Sequence, residues 1–345
     1  MTKYCGIDLG NKRTSICIVD NRRQVVREVE VKTDTEGLKE ALKGYRKLTC
    51  LVEAAPLAEW LSKEVEALGH KITVVCPRKA KVALESQGKR KKTDRRDARL
   101  LAELCRSGWY EAVHRKSEEA RSMRSYMTAR KQLVECSTAI ASSIRGLLRA
   151  HGIKLQERSD DGTFSAKVRA AIKGLPEQVR QAMEVLLQSF ELLHIQQRAM
   201  YKKLQKELKV DPLAERLMTI PAVGPATAAA FIATIDDPNR FSDGGKVASY
   251  IGLVPSIYQS GETEYRGRIT KSGDKLLRWL LVEAAHCLLT RSGTPCELKT
   301  WGLELEAKKG IGKARVAVAR RLSLLMWKLW KDGEVFHAES VKEAA

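Results

Sequence analysis

The sequence predicts an α/β domain over residues 1–110 followed by a mainly all-α remainder. Three observations carry this. Short apolar, β-branched runs alternate with helix-like stretches through the first hundred residues, in the order β-β-β-α-β-α-β. Strand signals then give way to long stretches in which charge alternates with long apolar side chains. Finally, 345 residues with a 43% hydrophobic share are enough for two or three ordinary cores. The domain boundaries read from this are 1–110, a helical linker and dimerisation region over 111–210, a C-terminal domain over 211–335, and a tail over 336–345.

Residues 3–20, KYCGIDLGNKRTSICIVD, read as two strands joined by a turn at Gly10 and Asn11, with Asp8 at the end of the first. RQVVREVEV, 23–31, alternates as a more exposed third strand. Thr35 to Arg46 has Leu38, Ala41 and Leu42 on one helical face. LTCLVEAA, 48–55, is a buried strand running out at Glu53. A helix over 57–68 and a strand over 71–77 follow, and then a helix from about Asp94 to Ser107.

Residues 117–150 form a helix. A second opens after Pro176, with Val179, Met183, Leu186, Phe190, Leu193, Gln197, Met200 and Leu204 at four-three spacing. That seam with one polar member suits a dimer-forming coiled coil and an intramolecular hairpin equally. RLMTIPAVGPATAAAFIATI, 216–235, reads as helix, tight turn, helix. It is either a plain αα-hairpin or a helix-hairpin-helix, in which backbone N–H groups near Gly224 face a DNA phosphate. Pro255 to Gly273 should be an exposed loop or hairpin between two apolar helices. Helices near 297–308 and 314–331 close the chain, the latter with Leu324, Leu325, Trp327 and Trp330 as a broad apolar face.

Lys+Arg exceed Asp+Glu by 20, which favours a polyanionic partner, nucleic acid first. No apolar run reaches membrane-spanning length, and no signal peptide is visible after Met1. Eight cysteines lie singly, without CxxC or zinc-like spacing. Cys5, Cys17, Cys50 and Cys76 fall in strand-like segments, where reduced buried thiols are the default. A reducing compartment follows, with a cytoplasmic, nucleoid-associated protein as the expectation.

The stretch KRKKTDRRDARLL, 89–101, sets Asp94 and Asp97 on one helical face within a cationic run; from Arg78 to Arg99 ten Lys/Arg stand against three Asp/Glu. Lys89, Arg90, Lys91, Lys92, Arg95 and Arg96 suit a phosphate backbone. Asp94 and Asp97 also suit a helix start, as cap and first-turn acid. Asp8 alone reads as a turn residue and Glu53 as a strand-end charge. If their strands are neighbours, however, the two meet at one sheet edge, and the next helix can bring Asp94 and Asp97 over it. Two carboxylates about 4 Å apart repel by roughly 4 kcal/mol at an effective dielectric near 20. Mg²⁺ would relieve this, since it favours all-oxygen sites and can activate a nucleophile and stabilise a leaving oxygen on phosphorus.

GIDLGNKRTSICIVD, LVEAA and KTDRRDARLLAE resemble the RuvC-like, ribonuclease-H-type domain of DEDD transposases. The nearest likeness is to the insertion-sequence family that includes Piv-type DNA invertases and bridge-RNA-guided recombinases. The resemblance implies that Asp8, Glu53, Asp94 and Asp97 are the metal-binding catalytic acids. It departs after Glu53, where Ala54, Ala55 and Pro56 replace the family's usual EATG. Further on, QSG at 259–261 reads by itself as a turn. The family's K-x-G-x-x-x-LR helix is matched by Lys271, Gly273, Leu277 and Arg278, and this places the family's nucleophilic serine on Ser260, ahead of Ser256 and Ser272. Arg266, Arg268 and Lys271 are the cations beside it.

The resemblance implies a recombinase acting on donor and target DNA as a homo-oligomer, dimer or tetramer, with a non-coding guide RNA selecting the sites. Two other enzymes share features of the sequence. A Holliday-junction nuclease would use the acids alone. An actin-like kinase or ATPase shares the first hairpin, but its second glycine-rich phosphate motif and adenosine loop are not found.

Overall fold

The computed structural model describes residues 2–76, 94–155, 163–260 and 263–337. The chain divides into two compact units, Met1–Lys116 and Ser117–Ala345.

The first unit is built on β1 (Lys3–Leu9), β2 (Arg13–Asp20), β3 (Val25–Lys32), β4 (Thr49–Glu53) and β5 (Lys71–Val75). These form one sheet in the order β3-β2-β1-β4-β5. The β3-β2-β1 half is antiparallel, whereas β1, β4 and β5 run parallel. This is the mixed sheet of ribonuclease-H-like domains. Helices α1 (Thr35–Leu42) and α2 (Ala58–Ala67) cover one face and α3 (Asp94–Ser107) covers the other. Strand alternation explains both layers. Cys5, Ile7, Ile16, Ile18, Cys50 and Val52 pack with Leu38, Leu42, Leu61 and Val65 on the first face. Leu51 and Val75 meet Leu101, Leu104 and Cys105 on the second, where Cys17 and Val19 meet Ala98 and Ala102. Because the central strands are buried on both faces, they read in the sequence as near-continuous apolar runs. Arg115 closes the unit by pairing with Glu59 and Glu66 around α2.

In the second unit, α4 (Glu118–Ala150) and α6 (Glu177–Leu208) pack on each other, with α5 (Phe164–Ala171) between them in sequence. Met183, Leu187 and Phe190 of α6 meet Ile144 and Leu148 of α4 and Phe164 and Val168 of α5. Gln197, the polar member of the seam, donates to the Leu133 carbonyl at 2.9 Å and the Ser137 hydroxyl at 2.8 Å. The seam is therefore satisfied within the chain, by α4. The burial also drifts from the four-three rule: Leu187 is fully buried, while its neighbour Leu186 is only partly so.

The larger core joins α7 (Pro212–Met218), α8 (Pro225–Ile235), α9 (Gly244–Ile251), α10 (Lys275–Thr290), α11 (Glu297–Lys309) and α12 (Ile311–Asp332). Leu322, Leu325, Met326 and Leu329 supply the inner stripe of α12. Trp327 and Trp330, expected as part of that face, lie at its margin, and the Trp327 indole N–H donates to the Pro238 carbonyl at 2.9 Å. An indole nitrogen needs a partner, which favours the rim. Between α9 and α10, β6 (Pro255–Ser260) and β7 (Thr263–Ile269) form a two-stranded hairpin.

Candidate active site

Asp8 and Glu53 stand side by side at the carboxyl edge of the sheet. The parallel register pairs Ile7 with Val52, so the next residues along, Asp8 and Glu53, share the adjacent level and the same face. Both are partly buried. The altered turn after Glu53 leaves it in place: Glu53 pairs with Val75, and the Ala54 N–H donates to the Val75 carbonyl at 2.9 Å.

Helix α3 reaches the same edge because β1 carries a glycine beneath it. A methyl group on Gly6 would lie 2.0 Å from the Ala98 carbonyl oxygen and 2.2 Å from the Ala102 nitrogen, so helix and strand touch backbone to backbone. At the far end of the helix the Cys105 thiol donates to the Thr49 carbonyl at 3.2 Å, and Thr49 pairs with Tyr4 at the start of the strands. The helix thus runs opposite to β1 and β4, and its N-terminal turn points toward Asp8 and Glu53. Its sheet-facing stripe is Ala98, Leu101, Ala102 and Cys105. One turn earlier, the same stripe falls on Asp94 and Asp97. From Ala98 back to Asp94 is about 6 Å of helix, and from Gly6 on to Asp8 is about 6.6 Å of strand. The stripe turns acidic at the level where the sheet ends.

Asp97 is partly buried, and the Asp94 side chain lies outside the described residues. Among the described residues no three His, Cys, Asp or Glu side chains form a group able to hold a metal ion. The convergence is one of backbone placement, and the donors are hard oxygens of the kind Mg²⁺ takes. Arg99 fixes the roll of the helix: its guanidinium donates to both carboxylate oxygens of Glu28, at 2.5 and 2.6 Å. That pairing holds the Glu28 carboxyl below its usual range, the Arg99 hydrogen bond being the main cause. Cys17 and Cys105 are not nucleophiles at neutral pH. Burial pushes Cys17 up to about 11 and Cys105 up to about 12.

Of the basic residues expected near the acids, Arg95 is exposed and Arg96 partly so, while Lys89, Arg90, Lys91 and Lys92 lie outside the described residues. In the second unit, Gly224 opens α8 after a turn in which Ala222 takes φ +68°. Ser260 is the last residue of β6 and pairs with Thr263 at the tip of the hairpin. Arg268 and Lys271 are exposed near its base, and Arg266 lies on β7 opposite Ile257. The other two serines have structural partners. The Ser256 hydroxyl donates to the Arg268 carbonyl at 3.1 Å, and Ser272 shares a hydrogen bond with Thr270 at 3.0 Å.

The hairpin base is locked by Gly273 and Arg278, which the sequence reading picked out only as part of a motif, and by Gly252, which it did not. Gly252 and Gly273 both take positive φ, and a Cβ on either would lie 2.0 Å from a carbonyl oxygen, of Ser272 and of Tyr250 respectively. Arg278, 8% exposed, donates to the carbonyls of Ile251 at 2.8 Å and Ser272 at 2.7 Å. Asp274 caps α10 and pairs with Arg124 at 2.7 Å.

Two family models match this chain. One, described as a transposase of the DEDD, IS110 type, spans residues 5–153, and the other, described as the transposase IS116/IS110/IS902 family, spans 214–299. The chain belongs to this transposase family. The relatives agree with that along nearly the whole length. The transposase for insertion sequence element IS1111A of Coxiella burnetii is 26% identical over 97% of this chain and 91% of its own. A Pseudomonas aeruginosa protein named "probable family 20 transposase" is 25% identical over 94% and 95%. The transposase for insertion sequence element IS1328 of Yersinia enterocolitica is 25% identical over 83% and 85%. The transposase is thus an insertion-sequence enzyme whose substrate is DNA. Its first family segment takes in the sheet from Cys5 onward and α3, and continues through α4. No helix among the described residues is long and apolar enough to cross a membrane.

Proposed function

We propose that this transposase exchanges DNA strands with two chemical centres: a Mg²⁺ site formed by Asp8, Glu53, Asp94 and Asp97, and a nucleophilic serine, Ser260. The observation that carries the reading is the shared edge, where Asp8 and Glu53 are neighbours in the parallel ladder and the N-terminal turn of α3 runs out over them.

Bound Mg²⁺ would supply Lewis-acid stabilisation of a phosphate and its departing oxygen. The chain's own residues do the rest. Asp8, Glu53, Asp94 and Asp97 would hold the cation. The Ser260 oxygen, on losing its proton, forms a bond to phosphorus as the bond to one bridging oxygen breaks, and that oxygen leaves as a protonated hydroxyl. Arg268 and Lys271 offset the charge that builds on the phosphorus oxygens. The turn at Gly224 acts as a helix-hairpin-helix, its free N–H groups touching a DNA phosphate.

Homo-oligomers, dimeric or tetrameric, bring donor and target DNA together. Val185, Leu192 and Ile195, each more than half exposed on α6, support self-association. The selection of sites by a non-coding guide RNA rests on the family resemblance, with the cations at 89–96 as its electrostatic complement.

The test is recombination between paired donor and target plasmids by Ser260→Ala and Asp94→Asn variants, with denaturing gels to trap a protein–DNA adduct. Loss of adduct and product in Ser260→Ala supports the serine. Full activity in either variant removes that residue from the mechanism, and cleavage without an adduct leaves a nuclease using the acids alone.

A further inference from the structure

The hairpin of β6 and β7 carries an aromatic pair that is largely exposed among the described residues. The two strands pair only with each other among the described residues, and the register sets Tyr258 opposite Tyr265, two residues from Ser260 opposite Thr263. Opposed residues and residues two apart along a strand share a face. Tyr258 and Tyr265 therefore share one side of the ribbon, two residues along the backbone from Ser260 and Thr263. The tyrosines are 70% and 66% exposed. Toward the base this side continues as Ser256 and Gly267, and a Cβ at Gly267 would lie 2.5 Å from the Ser256 hydroxyl oxygen. The face thus carries the small Ser256 and Gly267 at the base and the two rings beyond them. The base is rigid, held by Gly252, Gly273 and Arg278.

A pair of tyrosines offers large, stiff, amphipathic area at small entropic cost. The same hairpin carries cations: Arg268 and Lys271 are exposed near its base, in a chain of formal net charge +20. Aromatic rings beside cations are the elements of a base-stacking platform on single-stranded nucleic acid.

We propose that Tyr258 and Tyr265 stack on a nucleobase of the DNA strand next to the phosphate presented to Ser260, holding that base out of the duplex. The assignment of the neighbouring phosphate rests on the serine reading above; the stacking does not. The tyrosines are positioning residues, since their rings would grip the strand and their hydroxyls would take no part in bond exchange. Ring stacking reads every base alike, so the platform adds grip without sequence preference.

The experiment uses full-length protein carrying Ser260→Ala, so that no covalent capture enters the measurement. The probe is a short single-stranded DNA oligonucleotide containing 2-aminopurine, alongside its duplex. Tyr258→Ala and Tyr265→Ala should each weaken single-strand binding about 10- to 100-fold, the range stacked aromatics give on truncation. They should also abolish quenching of the 2-aminopurine. Tyr258→Phe and Tyr265→Phe should keep both. Alanine variants that bind and quench as the parent does would overturn the proposal. So would phenylalanine variants as weak as alanine, because the hydroxyl and not the ring would then matter. A Tyr→Ala change that alters only the sedimentation mass would also overturn it, by making the ribbon a contact between copies of this chain. Recombination by Ser260→Ala with the tyrosines intact would remove the serine reading while leaving the stacking result standing.

Discussion

Gly6 of β1 lies directly against Ala98 of α3, with no room for a single methyl group between them. That contact sets how far α3 sinks onto the sheet, and so where Asp94 and Asp97 stand relative to Asp8 and Glu53. Gly6→Ala should lift or tilt the helix. Overpacking of this kind costs about 1–3 kcal/mol, and a clash with backbone falls at the upper end. The expected result is a lower melting temperature together with loss of DNA cleavage, although all four acids remain. A Gly6→Ala protein of parental stability and activity would show that the helix does not depend on this contact.

If the edge acids hold a divalent cation, Mg²⁺ should raise the melting temperature of the parent chain by mass action, and chelation should reverse the gain. Asp8→Asn and Glu53→Gln should each shrink the shift and reduce DNA cleavage to background. Calorimetric titration of Mg²⁺ gives the same comparison without any DNA. An undiminished shift in both variants would move the cation elsewhere.

His70 predicts a pH dependence. Its ring is 6% exposed, and its Nδ1 accepts the Leu48 N–H at 3.3 Å, so the neutral form is the one built in. Burial lowers its pKa below the ordinary value. A lowered folded pKa means that the unfolded chain takes up the proton first. The stabilisation is complete above about pH 6.5, the unperturbed histidine value, and is lost as pH falls through the folded pKa. Thermal melts from pH 8 to pH 5 should show this loss. In His70→Gln the part of the slope centred on that window should flatten.

Arg278→Met should loosen the hairpin that carries Ser260. The change strips two carbonyls, those of Ile251 and Ser272, of a charged donor in a buried setting. Leaving buried acceptors unpaired costs about 1–3 kcal/mol each. Hydrogen exchange should rise in residues 255–269, and any serine–DNA adduct should fall, while Mg²⁺ binding by the first unit stays unchanged. Both bonds leave the one nitrogen Nη1, so Arg278→Lys, whose ammonium carries three donors, should keep part of the lock.

Gln197→Ala should cost about 1 kcal/mol, because one side chain supplies bonds to Leu133 and Ser137 across the α4–α6 pair. Gln197→Leu should recover part of that, since the seam around it is apolar. Denaturant unfolding monitored by helicity reads both.

Much of the N-terminal domain was legible because its strands are buried on both faces and interrupted by clear turns. TSICIV and LTCLVEAA could hardly be anything else, and the end of the apolar run itself marks Asp8 and Glu53. Asp94 and Asp97 were legible through the helical period, since D-x-x-D-A precedes a stripe of small and apolar residues. What the sequence could not convey was pairing. Nothing in Gly6 announces that Ala98 will rest on it, because such a contact joins positions about ninety apart by a topology that local patterns do not encode. The seam of α6 was readable as amphipathic but not as to partner, since a heptad suits α4 of the same chain or a second chain equally well. The short α5 escaped notice for the opposite reason: Phe164 and Val168 are too few to set a period. At the hairpin, QSG looks like any turn. Its neighbours Gly252, Gly273 and Arg278 matter through backbone contacts that only the fold brings about.

The order of the first unit along the chain has a consequence for the cell that makes it. Asp8 and Glu53 emerge early from the ribosome, but α3, which brings the remaining two acids, is translated after every strand of the sheet. A truncated or half-made product can display strands, yet it lacks α3. On the function proposed above, such a product would have half of its acids and would not cut DNA.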